Sequence, residues 1–178
     1  MSWQNKELCY YWIYEGDRVS DKLIIYFSIT GKTKHAALRL KEILQADILE
    51  IKPQTPYTSD DLDRYNKESR TILENNNSKM RPKICELTIN VNNYTDIYIG
   101  YPIWWDYAPK VINTFIESVN LIGKKIHLFC TSESTAIKVS KGKLAHTYPM
   151  LSFVNAKRIT EYDTTRDIER WVNTDKSN

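Results

Sequence analysis

The chain has 178 residues, with 25 Lys and Arg against 22 Asp and Glu, a net charge of +3, and 42% hydrophobic residues. That length suits one domain, which buries about 70% of its unfolded surface and needs no metal or disulfide staple. The mild, mixed charge excludes a disordered tail and lacks the clustered Lys and Arg of a nucleic-acid-binding face.

Residues 1–20 are polar and aromatic without clean periodicity and read as an N-terminal extension, with a short strand expected around Tyr10-Tyr11-Trp12-Ile13-Tyr14. They carry no apolar h-region and no small-residue cleavage site, so no signal peptide is expected. Residues 21–178 read as a single domain. Leu23-Ile24-Ile25-Tyr26-Phe27, the longest apolar run, is β-prone on both faces, as in a parallel sheet covered on both sides. It is far too short to cross a bilayer. After the bend Ser28–Thr33, a helix carries Ala36, Ala37, Leu40, Ile43 and Leu44 on one stripe. Asp47–Ile51 is a second strand, closed by Lys52-Pro53. Tyr57 to Asn77 reads as one exposed helix entered at Thr58 or Ser59, with Leu62, Tyr65, Ile72 and Leu73 at helical intervals. Asp96–Tyr101 is a third strand. Pro109 opens the next helix, where its missing N–H costs nothing, and Val111, Ile112, Phe115, Ile116 and Val119 form its buried side. Lys125–Cys130 is a fourth strand, Ala136–His146 a weaker helix, and 154–160 a less apolar strand suited to an edge. Ile168, Trp171 and Val172 anchor a closing helix.

Strands alternating with helices give an α/β protein whose parallel sheet is wrapped on both faces. In such proteins ligands lie beyond the carboxyl ends of the strands, which selects the loops 28–33, 101–108 and 131–135. The glycines Gly16, Gly31, Gly100, Gly123 and Gly142 include no G-x-G-x-x-G, so the dinucleotide fingerprint is absent.

In the first loop, Ser28, Thr30 and Thr33 set three hydroxyls around Gly31 just before a helix. A helix N-terminus offers unpaired N–H groups and partial positive charge, which suits a phosphate. Charge-assisted hydrogen bonds contribute about 1.5–3 kcal/mol each, enough to hold a dianion without arginine. Ordinary helix capping by Thr30 or Thr33 explains the same hexapeptide, and the residues alone leave both readings open. Gly31-Lys32-Thr33 is not a P-loop, because the position five residues before Gly31 is Tyr26 rather than glycine. The second loop, Tyr101-Pro102-Ile103-Trp104-Trp105-Asp106-Tyr107, sets tandem indoles at the sheet's carboxyl edge. One ring is expected to pack against the following helix and the other to face a flat ligand, where stacking contributes about 0.5–1.5 kcal/mol beyond burial.

His35, His127 and His146 have no carboxylate or cysteine partner at a telling spacing and read as structural or surface residues, so no catalytic acid or base is assigned. Cys9, Cys85 and Cys130 are far apart and form no C-x-x-C pair, which argues against a disulfide framework or a metal site.

With both loops in place, the chain resembles the flavodoxin family, and most closely its short members whose second loop reads G-Y-P-I-W-W. The resemblance rests on Leu23 to Thr33 and on Gly100-Tyr101-Pro102-Ile103-Trp104-Trp105, with Pro56-Tyr57, Arg81-Pro82 and Phe129-Cys130-Thr131 in support. It implies a doubly wound three-layer sandwich with a five-stranded parallel sheet of order 2-1-3-4-5, and noncovalent FMN. By the same resemblance Ser28, Thr30, Gly31, Lys32 and Thr33 hold the phosphate. Tyr101, Pro102, Ile103, Trp104 and Trp105 line the isoalloxazine, with Thr131, Ser132 and Glu133 opposite. The third loop departs from the family in holding no glycine between Thr131 and Ala136.

The resemblance implies an FMN-binding electron carrier working between redox partners. A second reading is an FMN-dependent oxidoreductase passing electrons from NAD(P)H to a quinone. The mild positive charge favours it, because carriers that steer to basic reductases are strongly acidic. A third is a module of the same fold that has lost FMN. In each case the expected setting is cytoplasmic, without nucleic acid or membrane.

Overall fold

The computed structural model describes residues 20–132 and 136–174. The strand expected at Tyr10–Tyr14 lies outside them. Five strands, β1 (Lys22–Tyr26), β2 (Asp47–Glu50), β3 (Asp96–Tyr101), β4 (Lys125–Cys130) and β5 (Ser152–Arg158), form one parallel sheet of order β2-β1-β3-β4-β5. The expected strand order and class are those observed.

Alternation along the strands assigns each face its helices. Leu23, Ile25, Ile97, Ile99, Ile126 and Leu128 pack with α3 (Lys110–Ser118) and α4 (Ile137–Thr147). Ile24, Tyr26, Tyr98 and Phe129 pack on the other face with α1 (Lys32–Leu44) and α5 (Thr165–Val172). Because both faces are covered, the strands read as continuous apolar runs. At β3 the pairing of Gly100 with Phe129 has a steric reason: a Cβ on Gly100 would lie 2.1 Å from Phe129 Cζ. The aromatic ring occupies the space where a side chain would stand.

Two elements differ from the sequence expectation. Tyr57–Asn77 is not one helix; it contains a 3-10 turn at Asp60–Leu62 and a short helix, α2 (Arg70–Asn76). The side chains of Asp63 and Asn66 accept bonds from the backbone N–H groups of Tyr65 and Glu68, and these local turns compete with helix between the two pieces. The buried side of α2 is Thr71 and Glu74, while Leu73 is exposed. At the edge, β5 starts at Ser152 and carries a bulge: Ile126 faces Phe153 but His127 faces Asn155, leaving Val154 unpaired in the register.

His127 is buried on the α1/α5 face. It stacks on Tyr98 at 4.3 Å, and its two ring nitrogens lie 2.9 Å from Asp96 Oδ1 and Asn155 Oδ1. A carboxylate partner invisible in sequence spacing thus exists, but Asp96 opens its strand, at the sheet's amino end and away from the loops selected above.

Candidate functional site

The first loop leaves β1 and turns into α1 at Gly31, whose φ of 84° is a left-handed conformation that glycine adopts without strain. Gly31 is the N-cap residue, and no side chain caps the helix. Of the two readings left open, helix capping by Thr30 or Thr33 is not the one seen. Thr33, almost fully buried, shares a 2.7 Å hydrogen bond with the Thr131 hydroxyl at the end of β4. Ser28 Oγ is buried and meets no hydrogen-bond partner in the described protein. Such an orphan costs about 1–3 kcal/mol, so a partner for it has value.

The second loop is a tight turn. Trp104 N–H donates to Tyr107 O at 3.0 Å, and Tyr107 N–H returns to Trp104 O at 2.9 Å. Its two central residues, Trp105 and Asp106, have φ of 48° and 66°. Positive φ at both positions is the mark of a type I′ turn, normally left to Asn and Gly. Holding bulkier residues there stores on the order of 1 kcal/mol or more each.

The two indoles part company on this turn. Trp104 is half-buried, edge-on to Phe27 (5.7 Å) and Tyr57 (5.3 Å), and so leans on the end of β1 and the chain after β2. Tyr57 is in turn fixed: its hydroxyl donates to Glu74 Oε2 at 2.6 Å, and the Arg70 guanidinium lies 4.0 Å over its ring. Arg70 Nε donates to Glu74 Oε1 at 2.7 Å. Burial, with the Glu74 carboxylate, raises the Tyr57 phenol far above its ordinary range. Trp105 stays 40% exposed.

Two cavities flank the first loop. One of about 160 Å3 brings Thr30 and Thr33 against Pro102, Trp104 and Trp105, with Ile29, Leu62 and Thr71 completing the wall. The other, about 640 Å3, brings Thr30, Gly31 and Lys32 against Thr131 and Ser132, and is closed by α1 and the loop after β5. The three loops chosen from the sequence thus converge on one end of the sheet. Ser28, Tyr101 and Ile103 line neither cavity. The Tyr101 side chain is fully buried, with its hydroxyl 3.0 Å from Ser140 Oγ, and Ile103 packs against the core. Glu133 lies outside the described residues.

Sequence reasoning missed the loop after β5 as a wall. Ile159, Thr160, Glu161 and Tyr162 border the larger cavity with His35 and Arg39. That loop is built around Asp163, which accepts from Thr160 N (2.8 Å), Thr160 Oγ1 (2.7 Å) and Lys157 Nζ (2.6 Å). Arg39 ties it to α1 by donating to the carbonyls of Thr160 and Asp163. The carboxyl-end rule applies to β5 as well, and that was the available signal. Cys130 is buried at the end of β4, and burial pushes its thiol up to about 12, so it is no nucleophile.

Among the described residues no group of His, Cys, Asp and Glu is placed to hold a metal ion, and no helix is long and apolar enough to cross a membrane.

A five-stranded parallel sheet in this order, with a hydroxyl-lined bend after β1 and an aromatic turn after β3, defines a flavodoxin-like α/β protein. The chain belongs to the flavodoxin family, which it matches over residues 21–175. Among solved structures it is similar to a candidate flavoprotein from Bacteroides eggerthii DSM 20697, at 41% identity over 88% of this chain and 98% of that one, with a TM-score of 0.84. Another from Bacteroides uniformis ATCC 8492 is 36% identical over 87% and 99%, with a TM-score of 0.81. A flavoprotein from Lactobacillus acidophilus NCFM, solved in complex with FMN, is 25% identical over 85% and 97%, with a TM-score of 0.67. No curated protein matches the chain.

Proposed function

We propose that the chain is an FMN-binding redox protein that carries electrons between partners. The observation that carries this reading is the orphaned, buried hydroxyl of Ser28 beside a helix N-terminus that no side chain caps. An oxyanion in the bend would satisfy both at once. The FMN held by the Lactobacillus relative supports the choice of ligand. In this reading Ser28, Thr30, Gly31, Lys32 and Thr33 hold the phosphate. Pro102, Trp104 and Trp105 face the ring from the β3 side, with Ile103 and Tyr101 as the buried root of that wall, and Thr131, Ser132 and Glu133 lie opposite. The flavin, when bound, supplies the electron-accepting chemistry. The chain's own part is to bind the phosphate by hydrogen bonds, to orient the ring against Trp105, and to exclude water from one ring face.

Residues 21–178 then act as one domain in the cytoplasm, with residues 1–20 as an extension of it. Direct transfer from NAD(P)H to a quinone is the second reading, favoured by the net charge of +3, which weakens electrostatic steering toward a basic reductase. Purified protein that is yellow, or that quenches added FMN fluorescence one-to-one, is the expected result; colourless protein indifferent to FMN would overturn the proposal. Measured NAD(P)H–quinone turnover separates the second reading from the first.

A further inference from the structure

On the other flank of the aromatic turn, Tyr107 faces one stripe of α4. Lys138, Val139, Gly142, Lys143 and His146 follow at helical spacing and, with Tyr107 and Thr147, line an open groove of about 570 Å3. That volume lies in the range of small-molecule sites, about 300–1,000 Å3. We propose that this groove binds a small amphipathic carboxylate, its apolar body on Tyr107 and Val139 and its anionic head between Lys138 and Lys143.

Three observations converge on that ligand. The first is uncompensated charge. Helix α4 (IKVSKGKLAHT) contains no acidic residue, and among the described residues neither Lys138 nor Lys143 has a carboxylate partner. Lys143 Nζ rests 3.2 Å from the centre of the Tyr107 ring, and Lys110 Nζ lies 5.6 Å from the same ring. Two ammonium groups converging on one phenol repel each other, and an anion would relieve them. Burial and the neighbouring cation Arg81 lower the pKa of Lys110, the Glu74 carboxylate partly offsets them, and Lys143 lowers it further, so of the two Lys143 is the ammonium left, among the described residues, without a carboxylate beside it.

The second is apolar surface beside the charge. Val139 is 46% exposed and Tyr107 37%. A ligand carrying only charge would leave that surface wet, whereas one with a flat or branched apolar body would cover it. The lining holds two lysines and no arginine, and such ammonium point charges suit a compact anion.

The third is Gly142. A glycine inside a helix costs about 0.5–1 kcal/mol relative to alanine. Here the packing does not demand it, because a Cβ at Gly142 would meet nothing within 4 Å. Its lack of a side chain keeps the groove open.

The test is isothermal titration of the full chain with 2-naphthoate and with the neutral 2-naphthamide, each with and without saturating FMN. One-to-one binding of the acid, about tenfold or more tighter than the amide, is expected, with Lys138→Gln and Lys143→Gln each weakening it about threefold or more. Gly142→Phe fills open space, should melt no lower than the parent, and should weaken naphthoate about tenfold or more. Equal affinity for acid and amide, unchanged binding to Gly142→Phe, or displacement of naphthoate by FMN would each overturn the proposal. The acid–amide comparison and the Gly142→Phe variant read the groove without FMN, so the groove and the redox reading, on which it does not rest, fail separately.

Discussion

The hydroxyls of Thr33 and Thr131, 98 residues apart in the chain, meet at 2.7 Å and fasten the first loop to the third. Since α1 has no side-chain cap, Thr33 is held toward β4 rather than spent on its own helix. Thr33→Val removes a donor to the proposed phosphate, worth about 1.5–3 kcal/mol, so the Kd for FMN should rise roughly tenfold to a hundredfold. Thr131→Val frees the Thr33 hydroxyl to rotate and keeps a side chain of the same size on the ring side, and should change that Kd about threefold at most. Quenching of flavin fluorescence measures both.

Ser28 gives a prediction in which stability and binding move in opposite directions. Ser28→Ala removes a buried hydroxyl that has no partner, so flavin-free protein should gain about 1 kcal/mol, or roughly 2–4 °C in Tm for a chain of this size. FMN affinity should fall in the same variant. A loss of stability without flavin would show that the hydroxyl is already satisfied.

Backbone strain in the aromatic turn separates its two central residues. Asp106→Gly relieves a left-handed backbone and should stabilise the protein by about 0.5–1 kcal/mol with FMN binding unchanged. Trp105→Gly relieves similar strain but removes the exposed indole, so stability should rise while FMN binding weakens. Paired chemical denaturation and FMN titration distinguish them.

Gly100→Ala tests the packing behind the site. Its Cβ would fall within 3 Å of three atoms of the Phe129 ring, and over-packing of this kind costs about 1–3 kcal/mol. Gly100→Ala combined with Phe129→Leu should recover part of that loss, as a double-mutant cycle would show.

Asp163 sets an acid limit on the loop after β5. Burial alone would raise its carboxyl, but hydrogen bonds from Lys157 and Thr160 outweigh burial and hold it at about 2, below the ordinary 3.8. A depressed folded pKa gives stability that is complete above the unfolded value and lost as pH falls through the folded one. The wild type should therefore lose roughly 2 kcal/mol between about pH 5 and pH 2 through this group, and Asp163→Asn should flatten that slope. Urea denaturation across the acid range reads the difference.

The sheet was legible because its strands are buried on both faces: Leu23–Phe27 and Ile97–Tyr101 are unbroken apolar runs, and their carboxyl ends pointed to the three loops that converge. The split of Tyr57–Asn77 was not legible, since the spacing of Leu62, Tyr65, Ile72 and Leu73 mimics a helix that Asp63 and Asn66 interrupt. Nor was the fate of Tyr101, whose strand parity turns it toward Ser140 instead of the loop that follows it. The I′ turn had no signal either, because Trp105-Asp106 replaces the Asn and Gly that announce one. The loop after β5 escaped notice because Ser152–Arg158 has little of the apolar character that drew attention to the other strands.

Trp104 leans on Tyr57, and Tyr57 is pinned by Arg70 and Glu74, so the aromatic wall is buttressed from the long excursion between β2 and β3, which adds no strand to the sheet. Excursions of that kind usually drift freely in length among related proteins. Here the buttress ties one stretch of it to the geometry of the mouth. Insertions between Tyr57 and Glu74 should therefore disturb the indole directly, while length changes beyond Asn76 should pass without consequence there.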